Sequence, residues 1–452
     1  MIPQKPAESS RWMAAAALVV MALSAGCSGR GGTSSPGLPP LSERFKVIVF
    51  GVDGADWRVI RPLMDAGRMP HFRKMVDGGA SGVLLSMEPT LSPALWTTIA
   101  TGLPPASHGI ADFIVRLPGG GYRPVTSDMR SAPAFWNILG NRDGGRTAGV
   151  VAWLATWPAE PIHGYMVTSY LPYVFNWSTG RPLKGTVVEG IPRQTFPDSL
   201  MREIEPLKVK PEALDRALVG RFYDASALPR VSPEARECVE GFLWSLASDE
   251  TYRRIGLHLY ARHSVDLFAV YFGGIDVVSH RFWKFTYPQD EPYATPPAEI
   301  EILKGVIPGY YEYIDEILGE FMSRMDQHST LVVLSDHGFK PVFFPGKPTT
   351  SGHHRLEGIL ALYGRGIAPG ATIEGATLVD VLPTVFALIG EPISRQLPGK
   401  ILAGAFSELG AERRKAAYVD AYPPRPAPSP AAADQEVDSN VIERLKSLGY
   451  IQ

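Results

Sequence analysis

Lys46-Val-Ile-Val-Phe-Gly-Val-Asp-Gly54 decides the fold. After Lys46 the run is apolar without a polar interruption up to Gly51, the pattern of a parallel strand buried on both faces. The same kind of run recurs at Gly82–Leu85, Thr147–Leu154, Asp266–Phe272 and Thr330–Ser335. Helical patterns fall between these runs: one from about Asp56, Pro93–Thr101 stopped by Gly102, Ala132–Leu139, Asp249–His263, and Glu299–Met325 with a kink expected at Pro308. Strands alternating with helices predict an α/β fold, with a mostly parallel central sheet covered by helices on both faces. Val174 to Glu240 is less regular and is read as a cap insertion over that core.

The ends of the chain read differently. Lys5 and Arg11 precede a short apolar run, Trp12–Leu23, too short to span a bilayer, and Leu23-Ser-Ala-Gly-Cys27 follows. This is a secretory signal over residues 1–26. It resembles the bacterial lipoprotein signal, which implies lipidation of Cys27 and an exported protein held at a bacterial membrane, periplasmic or outer. Residues 27–43 are Gly/Ser/Pro-rich and read as a flexible tether. The globular domain is expected over 44–410, and 411–452 reads as a Pro/Ala linker followed by a short helix, Val441–Leu448.

The composition is ordinary for a globular chain, 45% hydrophobic and 20% charged. A net charge of −2 gives no basis for a nucleic acid duplex as partner. Two cysteines, Cys27 and Cys238, exclude a cysteine zinc site; with Cys27 lipidated no internal disulfide remains, and Cys238 reads as a core residue.

Asp53 follows the first strand, where open α/β sheets bind ligands, and a carboxylate there can hold a divalent metal. Taken alone it also reads as a turn aspartate between glycines, and Gly51/Gly54 is not a dinucleotide fingerprint. Pro93 suits the first position of a helix, which makes Ser92 the expected N-cap, at the positive end of the dipole. That position favours a phosphate but does not by itself activate a serine; an ordinary N-cap is the alternative. Asp276 and His280 stand four apart and share one face if helical. Asp336 and His337 directly follow a strand, and His353 and His354 form a pair in an expected loop. Each signal alone is modest. Together they gather carboxylates and imidazoles at the strand ends of one sheet, and three histidines with three carboxylates suit zinc better than magnesium or calcium.

At these residues the chain resembles the alkaline phosphatase superfamily, in its type I phosphodiesterase and nucleotide pyrophosphatase branch, from about Phe45 to Leu402. The resemblance implies a phosphate ester hydrolase with two divalent metals and Ser92 as nucleophile, acting on a small-molecule phosphate ester. It implies that Asp53, Ser92, Asp336 and His337 hold one metal, and Asp276, His280 and His354 the other. His354 is chosen over His353 because a short spacer to Gly358 follows it. The run Thr101–Ile110 matches the stretch after the family's nucleophile helix, with His108 structural, and Val379–Gly390 resembles its closing helix. Two departures stand out. Nucleotide pyrophosphatases use Thr at the place of Ser92, and carry a phosphate-binding Asn where Phe113 stands, so either another group stabilises the oxyanion or the substrate differs. A sulfatase shares the fold, but Pro93 and Trp96 break its motif. A non-catalytic surface-binding lipoprotein is the remaining alternative, against which the full ligand set argues.

Overall fold

In the computed structural model, residues 43–425 are described, apart from 117–121, 141–144, 172–173, 176–184, 187–190, 291–294, 343–350 and 412–414. The signal, Cys27, nearly all of the tether, part of the insertion and the Val441–Leu448 helix lie outside them. The sheet grows from β1 (Lys46–Val52). Ile48, Phe50 and Val52 pack into one core, while Val47 and Val49 pack into the other on the opposite face. The period of two and burial on both sides explain why the run carries no polar alternation.

Besides three small two-stranded ribbons, the further strands are β2 (Ala80–Leu85), β3 (Ala148–Val151), β4 (Gly164–Val167), β5 (Thr195–Phe196), β6 (Leu267–Phe272), β7 (Ser329–Leu334), the hairpin β8 (Gly338–Pro341) and β9 (Gly352–Arg355), β10 (Glu357–Gly364) and β11 (Ala371–Thr377). Nine of them form one sheet in the order β11-β2-β10-β7-β1-β6-β3-β4-β5. β10 and β5 run against the rest, which are parallel. β1 lies between β6 and β7, with Val52 paired to Phe272 and Gly51 to Leu334. Three adjacent carboxyl ends therefore open at one edge, and Asp53, Gly273 and Ser335 are the next residues out.

The structure redraws several expected boundaries. The helix expected from Asp249 begins at Pro233 and runs to Arg262, capped by Ser232, whose hydroxyl accepts from the Ala235 N–H. That helix takes in Pro233–Glu240 of the stretch read as an insertion, and Thr195–Phe196 of the same stretch joins the edge of the main sheet. The helix at 299–325 is two helices, Pro297–Leu303 and Val306–Met322, parted at Lys304–Gly305. Pro308 is no kink: it lies in the first turn of the second helix, where its missing N–H has no intrahelical partner to serve. The Ala132–Leu139 helix is confined to Phe135–Leu139. His353 and His354 lie on strand β9, not in a loop. The Pro/Ala segment is anchored up to Arg425, whose buried guanidinium meets Glu160 at 3.1 Å. No helix among the described residues is long and apolar enough to cross a membrane.

Candidate active site

Helix Ser92–Thr101 is buried along its whole length and ends at Gly102, whose φ of 67° is the left-handed closure glycine supplies. Leu91 is its N-cap, so Ser92 is the first helical residue and not the cap expected from sequence. Pro93 still occupies the first turn, and the Ser92 Oγ faces Asp53 Oδ1 at 3.4 Å. Four residues on, on the same face, Trp96 donates from Nε1 to Asp53 Oδ2 at 3.1 Å. Its ring crosses the end of β1 over Gly51, where a Cβ would come within 2.6 Å of the indole. Gly51 is what lets that indole reach Asp53. Tyr271, next to last in β6, donates its hydroxyl to the same Oδ2 at 2.6 Å.

Helix Gly274–Thr286 begins at the end of β6 and carries Asp276 and His280 one turn apart. Its first turn is held by Asp249 from the long helix, which accepts the N–H groups of Gly273 (3.2 Å) and Gly274 (2.9 Å) and the hydroxyl of Tyr310 (2.9 Å). Asp336 and His337 leave β7. Ser335 between them and the strand accepts the Ala55 N–H at 2.8 Å and donates to the His337 carbonyl at 2.7 Å, stitching the β1 and β7 loops together. The β8–β9 hairpin brings in His354.

All seven residues singled out as ligands or nucleophile meet here, and their protonation pattern is informative. Each histidine directs Nδ1 at a backbone carbonyl: His280 at Gly352 (2.8 Å), His354 at Thr90 (2.8 Å), His337 at Gly338 (3.2 Å). Nδ1 must carry the hydrogen, so in the neutral ring Nε2 offers a lone pair. These lone pairs point at one another and at carboxylates. His280 Nε2 is 2.9 Å from His354 Nε2, and Asp276 Oδ1 is 3.4 and 3.2 Å from the two. A tetrahedral zinc site has ligand-to-ligand edges of about 3.3 Å, so this triangle has the dimensions of three ligands around one ion. A second group, Asp53, Asp336 and His337, has ligand atoms all within 4.8 Å of one another. His337 Nε2 lies 3.3 Å from Asp53 Oδ1 and 3.6 Å from Asp336 Oδ2.

Both carboxylate oxygens of Asp336, His337 Nε2 and Asp276 Oδ1 are buried without a hydrogen-bond partner among the described residues. Buried acceptors facing only other acceptors are unfavourable until a cation joins them. The residues present fit two divalent ions. The electrostatics agree. Burial and then the Asp53 carboxylate push Asp336 well above the usual carboxylate range. Burial opposes ionisation of Asp276 too, but His280 and His354 outweigh it and hold its carboxyl well below that range. At His337 burial lowers the imidazole, yet Asp336 and Asp53 prevail and raise it. A field that holds a proton there also attracts a metal ion.

His353 stacks on His354 with ring centroids 5.3 Å apart, and burial first, then its histidine neighbours, lowers it to about 4. His108 is fully buried. It accepts the Ile110 N–H at Nδ1 (3.2 Å), which leaves Nε2–H to donate to Thr98 Oγ1 (3.0 Å). It ties the Ser92–Thr101 helix to the following turn and stays neutral, with burial and Arg130 lowering it to about 4.

The sequence reading did not single out Tyr271, Thr90 or Asp249, and met Trp96 only as the residue that breaks a sulfatase motif. The signal for Trp96 was its i+4 spacing from Ser92. For Tyr271 it was a hydroxyl inside a buried strand, which needs a partner.

The sequence model of the type I phosphodiesterase / nucleotide pyrophosphatase family matches the chain over residues 47–378. The chain belongs to that family. Membership places it in the alkaline phosphatase superfamily. Among solved structures, murine ectonucleotide pyrophosphatase / phosphodiesterase 5 is similar at 13% identity and a TM-score of 0.47, over 77% of this chain and 95% of that one. Phosphonoacetate hydrolase from Sinorhizobium meliloti, in complex with phosphonoformate, is similar at 19% identity and a TM-score of 0.39, over 66% of this chain. The chain spans 57% of the length of that hydrolase. No curated protein matches the chain.

Proposed function

We propose that this member of the family hydrolyses phosphate esters with Ser92 as nucleophile beside two divalent ions, zinc by donor set. The observation that carries the reading is the Ser92 hydroxyl at a helix N-terminus, 3.4 Å from Asp53 Oδ1, next to a buried Asp336 with both oxygens unpartnered among the described residues. Asp53, Asp336 and His337 would hold one ion with Ser92, and Asp276, His280 and His354 the other. When bound, such ions polarise phosphate oxygens and make a serine hydroxyl more acidic. Ser92 Oγ attacks phosphorus in line, forming the serine–phosphorus ester bond as the bond to the alcohol oxygen breaks. The proton lost by Ser92 is balanced by the one the departing alcoholate takes up. Water then displaces Ser92 from the phosphoserine, and the serine oxygen regains a proton. Two inversions give net retention at phosphorus. A chiral, isotopically labelled phosphate ester tests this: retention supports it, and net inversion means that water attacks directly.

We also propose export and lipid anchoring at Cys27, on the signal pattern Lys5–Cys27. Cys27→Ala should leave unprocessed precursor without lipid label. An unlabelled wild type sinks the idea.

A further inference from the structure

A cavity of about 410 Å³ opens off the nucleophile, with Asp53, Ser92, Asp276, His280 and His354 at one end. Its volume is that of a small-molecule site. Away from the ligand cluster most of its lining is carbon, from Phe113, Ala152, Leu154, Tyr170, Tyr252 and Val277, with Ser169 the one hydroxyl among the described lining residues outside the long helix and the Tyr rings. One wall is the face of the long helix on which Ser245, Ser248, Asp249 and Tyr252 recur at helical spacing.

The polar atoms of that wall are largely engaged inside the protein. Ser245 donates to the Gly241 carbonyl at 3.1 Å, and Tyr252 to the Thr168 carbonyl at 3.1 Å. Asp249 is taken up by two backbone N–H groups and Tyr310. Tyr271, on the same cavity, is bonded to Asp53. Arg281 is the only Lys or Arg among the described lining residues. A polyphosphate chain or a polyhydroxylated sugar would exchange its water for carbon, with few donors returned, whereas a phenyl or alkyl group loses nothing by entry.

We propose that the alcohol esterified to the phosphate is uncharged and predominantly apolar, an aryl or alkyl group seated against Phe113, Leu154 and Tyr170. The inference rests on the phosphate-ester reading of the site. Phe113, half-buried on the cavity, presents a phenyl ring that can neither donate to nor accept from a polar substituent.

Non-hydrolysable phosphonates test the proposal by calorimetry on the zinc-loaded chain, separately from turnover. Methyl-, butyl-, phenyl- and 4-carboxyphenylphosphonate share the anion and differ in the group the cavity receives. Affinity should rise from methyl to butyl by roughly fourfold per buried methylene. Phenyl should exceed methyl at least tenfold, and the added carboxylate should cancel that gain. Phe113→Leu should keep most of the phenyl-to-methyl ratio and Phe113→Asn should lose it. A flat series, a carboxylate preference, equal ratios in the two variants, or no binding by any member overturns the proposal. The serine mechanism is judged by stereochemistry instead, so a phenyl preference with inversion at phosphorus would keep the cavity assignment and remove the nucleophile.

Discussion

Tyr271 and Trp96 both donate to one oxygen of Asp53, Oδ2, at 2.6 and 3.1 Å. The other oxygen, Oδ1, faces Ser92 Oγ and His337 Nε2. Two neutral donors thus fix the carboxylate rotamer and leave Oδ1 turned toward Ser92 and His337, as the atom that would ligate in the proposed site. Outer partners of this kind typically matter about 10–100-fold in metal affinity. Tyr271→Phe should weaken metal binding by that order, with unchanged secondary structure. A competitive chelator titration measures it, and an unchanged affinity would mean that Trp96 alone suffices.

Asp336 buries both oxygens without a donor among the described residues. In metal-free protein near neutral pH that group opposes folding, because burial and Asp53 push its carboxyl up and folding must either bury a charge without a donor or take up a proton, and an amide does neither. Asp336→Asn should raise the melting temperature of the chelator-treated protein and abolish most of the increase that zinc gives the wild type. Parallel thermal melts with and without zinc decide this. A variant that stays zinc-stabilised to the wild-type extent contradicts the ligand assignment.

Ser92→Ala removes the oxygen proposed to attack and leaves six other candidate ligands. Turnover should fall by roughly 10⁶-fold, the order seen when a serine nucleophile is deleted. Phosphonate affinity should change much less. Single-turnover kinetics beside calorimetry separate the two effects, and near-normal kcat would reduce Ser92 to a helix residue.

Asp249 is 2% exposed, and burial pushes its carboxyl up to about 7 against the opposing pull of Tyr310 and two N–H groups. The folded-state value lies above the unfolded one, near 3.9. The folded protein therefore holds an extra proton between these values. This contribution favours folding most below the unfolded value, declines as pH rises toward about 7, and is flat above. The total is on the order of a few kcal/mol. In Asp249→Asn that slope should vanish, seen as a narrowing difference in urea stability from wild type as pH rises. Parallel pH profiles would be incompatible with this account.

Arg425 meets Glu160 at 3.1 Å and donates to the carbonyls of Ser127 and Arg130. Burial opposes the Glu160 charge, but Arg130 and Arg425 outweigh it and lower its carboxyl. Arg425→Ala leaves Arg130 as partner, so the loss should be roughly 1.5–3 kcal/mol, the range for hydrogen bonds to charged groups. Guanidinium chloride denaturation measures it, and a change below about 0.5 kcal/mol would make the tail contact dispensable.

The buried strands were legible in sequence because burial on both faces leaves an unbroken apolar run, as in Lys46–Phe50 and Thr330–Leu334. The Asp276–His280 pair was legible because helical spacing alone puts the two on one face. Asp53, Asp336 and His337 were legible as residues just past strand ends. What the sequence by itself determined was therefore local: which runs are strands, which spacings share a face, and which chemical groups end up at a sheet edge. Tertiary structure decided the rest. The order β7-β1-β6 set three strand ends side by side, and no local pattern encodes which strand neighbours which. Helix bounds at Pro233 and Gly305 moved because packing against neighbouring elements overrode local polarity. Tyr271 and Trp96 became partners of Asp53 only once β6 and the Ser92 helix flanked β1, and Phe113, Leu154 and Tyr170 lined a common cavity only once distant segments closed around it. Those are contacts between residues remote in sequence, fixed by burial and hydrogen-bond satisfaction that only the folded chain brings about.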